Sequence, residues 1–401
     1  MKNITKILFA IILSFSVVSF ANAGELSVTG SAQATYVISS SDSGTAKVNK
    51  PKGIGMSNEI AFNATGDFAD GYTWNYQMEL DPDQRNGAAI NDDTRLELGT
   101  PYGTLGIYNS EGDLNTHLKS SRAAYAPGHD IGTSGGYEGG TGMNSYSNIQ
   151  YHTPAGLLPN DISVKAGYSY GDGYGGDAND GGDTVSDRKP AYSYQVTGAP
   201  VEGATLGASY LKKNNSGTQK TAVNANTMVE LQEYETGGLF GTYNIGQFSL
   251  GAGRHFVAPN VGDVMGVGVA QNRSSTAVCA VTTAVKSTST SVSTSTGLPV
   301  TTTAYCPGTQ YFENDALSVA FQVNPQLSLS VDRMTSTAHV KNTNGVGVDL
   351  QTNRDLIVES IQAAYNVGGA VVAIGRKSVE GINYAENNNL NETVLSLKME
   401  F

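Results

Sequence analysis

The chain has 401 residues and is rich in glycine (48) and tyrosine (21). Only 39% of the residues are hydrophobic and 15% are charged, and both fractions are low for a soluble globular protein. Glycine destabilises helices and tyrosine favours strands, so the composition argues against a helical protein. After residue 20 no apolar run approaches the ~20 residues of a membrane-spanning helix. The net charge of −12 argues against nucleic-acid binding.

Residues 1–23 have the three parts of a secretory signal peptide. Lys2 and Lys6 form a basic start, an apolar run follows at 7–20, and Ala-Asn-Ala at 21–23 is a small-residue cleavage site. The alternative, a membrane anchor, needs a longer apolar run. We therefore expect export and cleavage before Gly24, which changes the net charge from −12 to −14 because two lysines are lost.

Apolar and polar residues alternate along most of the remaining chain. Segment 72–80 places Tyr, Trp, Tyr, Met and Leu on one face and Thr, Asn, Gln and Glu on the other, and 393–401 repeats the pattern. Such alternation is typical of a strand that lies between two different media. Sixteen strands are predicted in chain order, near 25–39, 53–67, 72–81, 92–99, 103–110, 146–153, 161–170, 190–199, 204–213, 231–245, 247–257, 311–324, 326–336, 353–367, 370–379 and 393–401.

The predicted connections alternate between seven short turns and eight long loops. A closed barrel of sixteen strands is too wide for side chains to fill, so its inner face is polar and meets water while its apolar face meets lipid. The predicted fold class is therefore all-β: a 16-stranded antiparallel transmembrane β-barrel at 24–401, with long extracellular loops and short periplasmic turns.

Three short stretches carry a resemblance to a known family. They are Gly66-Asp-Phe-Ala-Asp-Gly71, Thr100-Pro-Tyr-Gly-Thr-Leu-Gly-Ile-Tyr108 and the terminal strand Thr393-Val-Leu-Ser-Leu-Lys-Met-Glu-Phe401. Together with the strand count they resemble the Gram-negative outer-membrane general porins. The resemblance implies a homotrimer among outer-membrane lipid and lipopolysaccharide, and passive diffusion of small hydrophilic solutes. It also implies insertion by the barrel-assembly machinery, which would recognise the last strand and its Phe401.

In such a barrel the third long loop, here 111–145, would fold inward and constrict the pore. The candidate pore residues are the acids of this loop and basic residues of the wall: Glu111, Asp113, Asp130, Glu138, Arg95, Lys165 and Lys398. Arg254 and Arg376 are further candidates for the inner wall. Acidic rings favour cations, so we expect mild cation preference or little selectivity.

Loop 171–189 is rich in aspartate, and clustered carboxylates suit a hard cation such as Ca²⁺ or Mg²⁺. The weak candidate ligands are Asp177, Asp180 and Asp183, but the spacing does not fit an EF-hand, and a hydrated loop is the alternative. No cofactor is expected beyond such a structural ion.

Cys279 and Cys306 are the only cysteines, and both lie in the long loop 258–310. Export to an oxidising compartment predicts a disulfide between them. The Ser/Thr-rich stretch between them is of low complexity, so we expect the bridge to fasten an extracellular loop.

Three other functions remain as alternatives to a general pore. A sugar or other nutrient channel would need a row of inward aromatic residues, for which Tyr108 and Phe240 are the candidates. A surface adhesin could use the Ser/Thr-rich loop. A barrel hydrolase would need a catalytic histidine, but the sequence has only five histidines and no G-x-S-x-G, H-E-x-x-H or P-loop pattern, so no enzyme activity is expected.

Overall fold

The computed structural model describes most of the chain after the predicted signal peptide, which itself lies outside the described residues. The described ranges are 24–43, 53–81, 93–115, 137, 139–140, 142–143, 147–170, 190–213, 233–258, 286–292, 299–305, 308–344, 348–384 and 388–401.

The described residues form eighteen strands. In chain order they are β1 (Glu25–Ser43), β2 (Ile54–Ala69), β3 (Tyr72–Leu80), β4 (Thr94–Thr100), β5 (Gly103–Asn109), β6 (Asn148–His152), β7 (Ser163–Tyr170), β8 (Pro190–Gly198), β9 (Ala204–Lys213), β10 (Tyr234–Ile245), β11 (Phe248–Ala258), β12 (Lys286–Val292), β13 (Pro299–Tyr305), β14 (Gly308–Gln322), β15 (Leu327–Asn344), β16 (Val348–Asn366), β17 (Ala370–Glu380) and β18 (Asn389–Glu400).

Sixteen of these strands close into one antiparallel barrel, in which each strand pairs with its neighbours in the chain and β11 pairs with β14. The first and last strands, β1 and β18, pair to close it, and the backbones of Gly30 and Phe401 exchange two hydrogen bonds at 2.7 and 3.0 Å. The prediction of an all-β, 16-stranded antiparallel barrel is therefore confirmed. The remaining strands, β12 and β13, form a separate hairpin in a region that the sequence predicts as a loop.

Short turns join the strands at one end of the barrel. Gly246 connects β10 to β11 with a φ of 58°, a left-handed conformation that suits glycine, and Gly71 has a φ of 78° between β2 and β3. Two short 3-10 turns lie wholly within the described residues, Pro159–Asp161 and Ile382–Tyr384. No helix among them is both long enough and apolar enough to cross a membrane.

The two faces of the barrel wall differ in chemistry. On the outward face the exposed residues are mostly apolar, for example Leu26, Met56, Leu239, Leu317 and Ile361. On the inward face the buried residues of β6 to β18 are mostly small or polar: Asn148, Gln150, Ser193, Gln195, Ser209, Ser249, Ser318, Ser330, Asp332, Ser360, Gln362, Lys377, Glu392 and Ser396. Successive residues of a strand point to opposite faces, so the alternation of apolar and polar residues gives the wall one apolar face and one polar face.

Candidate functional site

An ion pair joins the barrel wall to the segment that follows β5. The Nη1 atom of Arg95, on the inward face of β4, lies 2.6 Å from Oε1 of Glu111. Both side chains are partly buried inside the barrel, with exposed fractions of 29% and 18%. The structure therefore brings together two of the predicted pore residues, one from the wall and one from the predicted constriction loop.

Another carboxylate, that of Glu97, lies on the same strand as Arg95 and belongs to the wall beside this ion pair. Glu97 accepts a hydrogen bond from the Tyr108 hydroxyl at 2.6 Å and another from the Asn75 amide at 3.1 Å. These three residues belong to β3, β4 and β5, whose inward positions lie side by side in the register. The cluster is thus a polar patch of the wall that carries two acids and one arginine.

Three amide side chains of the wall hold residues 111–114 against the inner surface. Asn148 donates to the carbonyl oxygen of Glu111 at 3.0 Å, Gln150 donates to that of Gly112 at 2.5 Å, and Gln195 donates to that of Leu114 at 2.8 Å. These donors lie on β6 and β8, so the segment runs across the inner wall away from β5. Sequence reasoning missed all three, although each occupies a polar position in the alternation of its strand.

The described residues near the end of the same loop also lie inside the barrel. His255 on β11 contacts the carbonyl oxygen of Gly139 through Nε2 at 3.2 Å, and the Asn314 amide lies 3.0 Å from its Nδ1. The Asn314 amide, the His255 ring and the Gly139 carbonyl therefore form one row of polar contacts inside the barrel. Met143 is fully buried and packs against inward residues of β8 and β9.

An apolar cluster fills part of the interior between β11 and β18. The 3-10 turn Ile382–Tyr384 contributes to it, and the Tyr384 ring lies 5.1 Å from that of Phe312. The Tyr384 hydroxyl forms a hydrogen bond of 2.7 Å with Ser336. The cluster is formed by Val257, Phe312, Met334, Ala338, Leu356, Val358, Val379, Ile382, Tyr384 and Leu390. The loop after β17 therefore folds inward and narrows the barrel on this side.

Burial changes the ionisation of Glu111. Loss of water around the side chain raises its pKa, and the adjacent Arg95 guanidinium lowers it, with burial the larger effect. The net result is a pKa above the ordinary value of 4.5. One of its oxygens, Oε2, is buried without a hydrogen-bond partner, which fits this direction.

Of the other predicted pore residues, the structure describes Asp113, Lys165 and Lys398, and these three do not form a single ring with the Arg95–Glu111 pair. Asp113 accepts a hydrogen bond from the backbone of Asn115 at 2.8 Å. Lys165 lies on the inward face of β7, opposite His152 in the register. Lys398 lies on the inward face of β18 and forms an ion pair of 2.8 Å with Glu400.

Several predicted features lie outside the described residues and stay predictions. They are the acids Asp130 and Glu138, the aspartates Asp177, Asp180 and Asp183, and the cysteines Cys279 and Cys306. Within the described part of the chain, no group of three or more His, Cys, Asp or Glu residues is arranged to hold a metal ion.

The expectation that Arg254 and Arg376 line the inner wall is wrong. Arg254 alternates with exposed Leu250 and Phe256 on the outward face of β11, and it binds Asp315 of β14 at 2.6 Å. Arg376 is exposed beside Ile374 on the outward face of β17. We expected charged residues to face the barrel interior. Both arginines instead lie an even number of positions from outward apolar residues of the same strand, so they share the outward face.

The aromatic residues considered for a sugar channel and the histidines considered for a hydrolase are held in contacts with neighbouring side chains. Tyr108 and Phe240 point inward as predicted, but both are buried, with exposed fractions of 3% and 7%. His152 contacts the Gln150 side chain at 2.8 Å, and His339 stacks on Tyr311 with ring centroids 4.0 Å apart. The two inward aromatics therefore offer little surface to a passing sugar.

Comparison with known proteins gives structural similarity without sequence similarity. No protein-family model and no curated protein sequence matches this chain. Among solved structures, the outer membrane channel DcaP of Acinetobacter baumannii aligns with a TM-score of 0.59 and 11% identity, covering 96% of this chain and all of that one. OmpF of Salmonella typhi gives 0.57 and 12%, covering 95% of this chain and all of its own.

A third solved structure, the anion-selective porin of Comamonas acidovorans, has a TM-score of 0.57 and 10% identity, with 94% of this chain and all of that one covered. These identities are too low to carry a residue's role from one protein to another. The alignments nevertheless cover almost all of this chain and the whole of each neighbour. The chain therefore has the barrel fold of the outer-membrane porins.

Proposed function

We propose that this chain forms a water-filled channel in the bacterial outer membrane for the passive diffusion of small hydrophilic solutes and ions, with a mild preference for cations. One observation carries the proposal: a polypeptide segment, residues 111–114, lies inside a wide closed barrel and is held to its polar wall by Asn148, Gln150 and Gln195. A barrel of sixteen strands is wide enough for water beside such a segment.

The cation preference follows from the balance of charge near this segment. Glu97, Glu111 and Asp113 lie within it or on the adjoining wall, and Arg95 is the cation paired with Glu111. The exported chain would have a net charge of −14, an overall sign that also favours cations. Carboxylates around a narrow aqueous path raise the local concentration of cations.

The environment and assembly of the channel belong to the same proposal. The exposed apolar face of the barrel fits the hydrocarbon of a bilayer, because a closed barrel leaves no unpaired strand edge in lipid. We include in the proposal a homotrimer, contact with lipopolysaccharide, and insertion by the barrel-assembly machinery through the strand that ends at Phe401.

Planar lipid bilayers test the channel and its selectivity together. Purified protein should produce stepwise conductance, and in a KCl gradient the reversal potential should have the sign of K⁺ preference. Swelling of liposomes should fall steadily as the size of neutral solutes increases. No conductance would refute the channel, a reversal potential of the opposite sign would refute the cation preference, and one solute far above the size trend would indicate a substrate-specific channel instead.

A further inference from the structure

A group of charged residues interrupts the apolar outward face of the barrel between β11 and β17. Arg254 binds Asp315 through two hydrogen bonds of 2.6 and 2.9 Å, and Arg333 lies 2.9 Å from Glu359. Arg376 lies nearby on β17. We call these five residues the outward charged patch.

The patch lies within the height of the proposed membrane belt, and this placement rests on the function proposed above. On β14 the aromatic residues Phe321 and Tyr311 are ten positions apart, which is about 26 Å along the axis of a barrel whose strands tilt by about 40°. Asp315 is six positions from Phe321, or about 15 Å by the same conversion. It therefore lies between the two aromatic levels, where the outward face of such a barrel meets lipid.

Charged side chains on the lipid face of a barrel are unfavourable, and most of all near the middle of the bilayer. The side chains of Arg254 and Arg333 are more than half exposed, with fractions of 66% and 56%. Arg376 forms no ion pair with any other residue that the structure describes. Within the described part of the chain its cation therefore has no counter-charge.

The order of charges around the wall shows which partner fits. Going from β11 through β14, β15 and β16 to β17, the signs are plus (Arg254), minus (Asp315), plus (Arg333), minus (Glu359) and plus (Arg376). A two-fold axis parallel to the barrel axis and between β15 and β16 exchanges Arg333 with Glu359 and Asp315 with Arg376. Both exchanged pairs then have opposite signs, and Arg376 acquires a carboxylate. Arg254, whose counterpart position lies on β18, stays paired with Asp315 of its own chain.

The apolar surface beside the patch also suits contact with protein. A depression of about 820 Å³ adjoins Arg333 and Glu359 on the outward side. Its lining combines the small residues Gly241 and Ala252 with larger apolar side chains. Leu206, Tyr243, Leu250, Leu317, Val319 and Val331 are the apolar side chains of this lining. An anionic lipid headgroup fits the patch less well, because the carboxylates of Asp315, Glu313 and Glu359 already lie beside Arg254 and Arg333 and would repel it.

We infer that the outward charged patch is an interface with a second copy of this chain, formed by the same face of both copies around a two-fold axis between β15 and β16. Such an isologous contact is separate from any three-fold assembly, because a three-fold contact joins two different patches. It would join two barrels, or two trimers, side by side in the membrane.

Cross-linking between differently substituted chains tests the interface. In a Cys279→Ser/Cys306→Ser background, chains with Asp315→Cys are mixed with chains with Arg376→Cys, assembled in liposomes and treated with a short bis-maleimide. We expect a covalent dimer in the mixture and a loss of most of it when either chain is used alone. An uncharged pair, Thr335→Cys with Ile357→Cys, should also cross-link without altering the patch. Because both positions lie beside the proposed axis, each of these chains should cross-link with its own copy as well.

The matched control uses outward residues on the other side of the barrel, Ile149→Cys with Val196→Cys. Absence of a dimer from both test pairs, or equal cross-linking of the control pair, would overturn the interface and leave lipid as the neighbour of the patch. Conductance is recorded from the same liposomes after fusion with a planar bilayer. Conducting barrels that do not cross-link contradict only the interface, whereas cross-linked barrels that do not conduct contradict only the channel.

Discussion

Glu111 is the residue whose charge we expect to govern ion selectivity most directly. Replacing Glu111 with Gln removes the carboxylate and leaves the Arg95 charge uncompensated beside the path. The ratio of K⁺ to Cl⁻ permeability should fall by about two- to fivefold, which is the effect of one charge at close range in a partly aqueous site. Reversal potentials measure this ratio.

The control for this substitution is Glu202→Gln, because Glu202 is exposed in the turn between β8 and β9 and undergoes the same change of charge. Equal effects of the two substitutions would show that net charge alone sets selectivity. Such a result would show that the Arg95–Glu111 pair does not determine the ion selectivity of the channel.

Selectivity should also depend on pH through Glu111. Its pKa is raised above 4.5 by burial, so its carboxylate accepts a proton at a higher pH than exposed glutamates do as the solution is acidified. As the pH is lowered from 7, the cation preference should therefore begin to weaken while the pH is still above 4.5. The Glu111→Gln channel should not show this first decrease. Reversal potentials recorded in steps from pH 7 downward provide the measurement.

Gly112 sets the position of the inward segment. It has a φ of 85°, and a Cβ atom added to it would lie 2.4 Å from the Gln150 amide nitrogen and 2.9 Å from the Tyr108 ring. Gly112→Ala should displace the segment from the wall and change the single-channel conductance while the barrel still forms. Gly156→Ala, at a φ of 73° with nothing near the added atom, should leave conductance unchanged.

At the scale of elements, the 3-10 turn Ile382–Tyr384 limits the width of the barrel interior. Tyr384→Ala removes the ring that packs on Phe312 and the hydrogen bond to Ser336. It should increase single-channel conductance and lower the thermal stability, since losing a buried aromatic ring costs about 3–5 kcal/mol. Tyr384→Phe keeps the ring and should cost only about 1 kcal/mol with conductance unchanged. An unchanged conductance in Tyr384→Ala would show that this turn does not border the path.

The barrel strands were predictable because their alternation is strong. For example, 72–80 separates apolar from polar residues completely, and β3 occupies those nine positions. The hairpin of β12 and β13 was not predictable, because a run of Ser and Thr such as Lys286–Val292 has no apolar face to indicate a strand. The inward turn at Ile382–Tyr384 was missed for a related reason, since two apolar residues in a polar loop form no periodic pattern.

The candidate site was predictable only in part. Arg95 and Glu111 could be chosen from charge and position, but their pairing depends on where the chain turns after β5. Arg254 was assigned to the wrong face because a charged residue in a wide barrel ordinarily faces water. Its register with Asp315, 61 positions away, is a property of the assembled sheet that no local pattern contains.

At the scale of the whole molecule, closure of the barrel depends on the contact of β1 with β18. A Cβ atom added to Gly30 would lie 2.6 Å from the Glu59 carbonyl oxygen and 2.8 Å from the Phe401 ring. Gly30→Val should therefore weaken closure and lower the temperature at which the folded band disappears on semi-native gels. Ala32→Val, two positions further along the same strand, adds volume without this conflict and should unfold near the wild-type temperature.

The interruption of the outward face by charge has a consequence for the surrounding bilayer. On β1 the outward apolar side extends from Leu26 to Ile38, whereas on β14 it extends only from Phe321 to Leu317 before Asp315. A single barrel would therefore present unequal hydrophobic thickness on its two sides. Membrane proteins relieve such mismatch by tilting or by thinning the adjacent lipid. A lone barrel in the membrane should accordingly tilt toward its shorter side and gather short-chain lipids there.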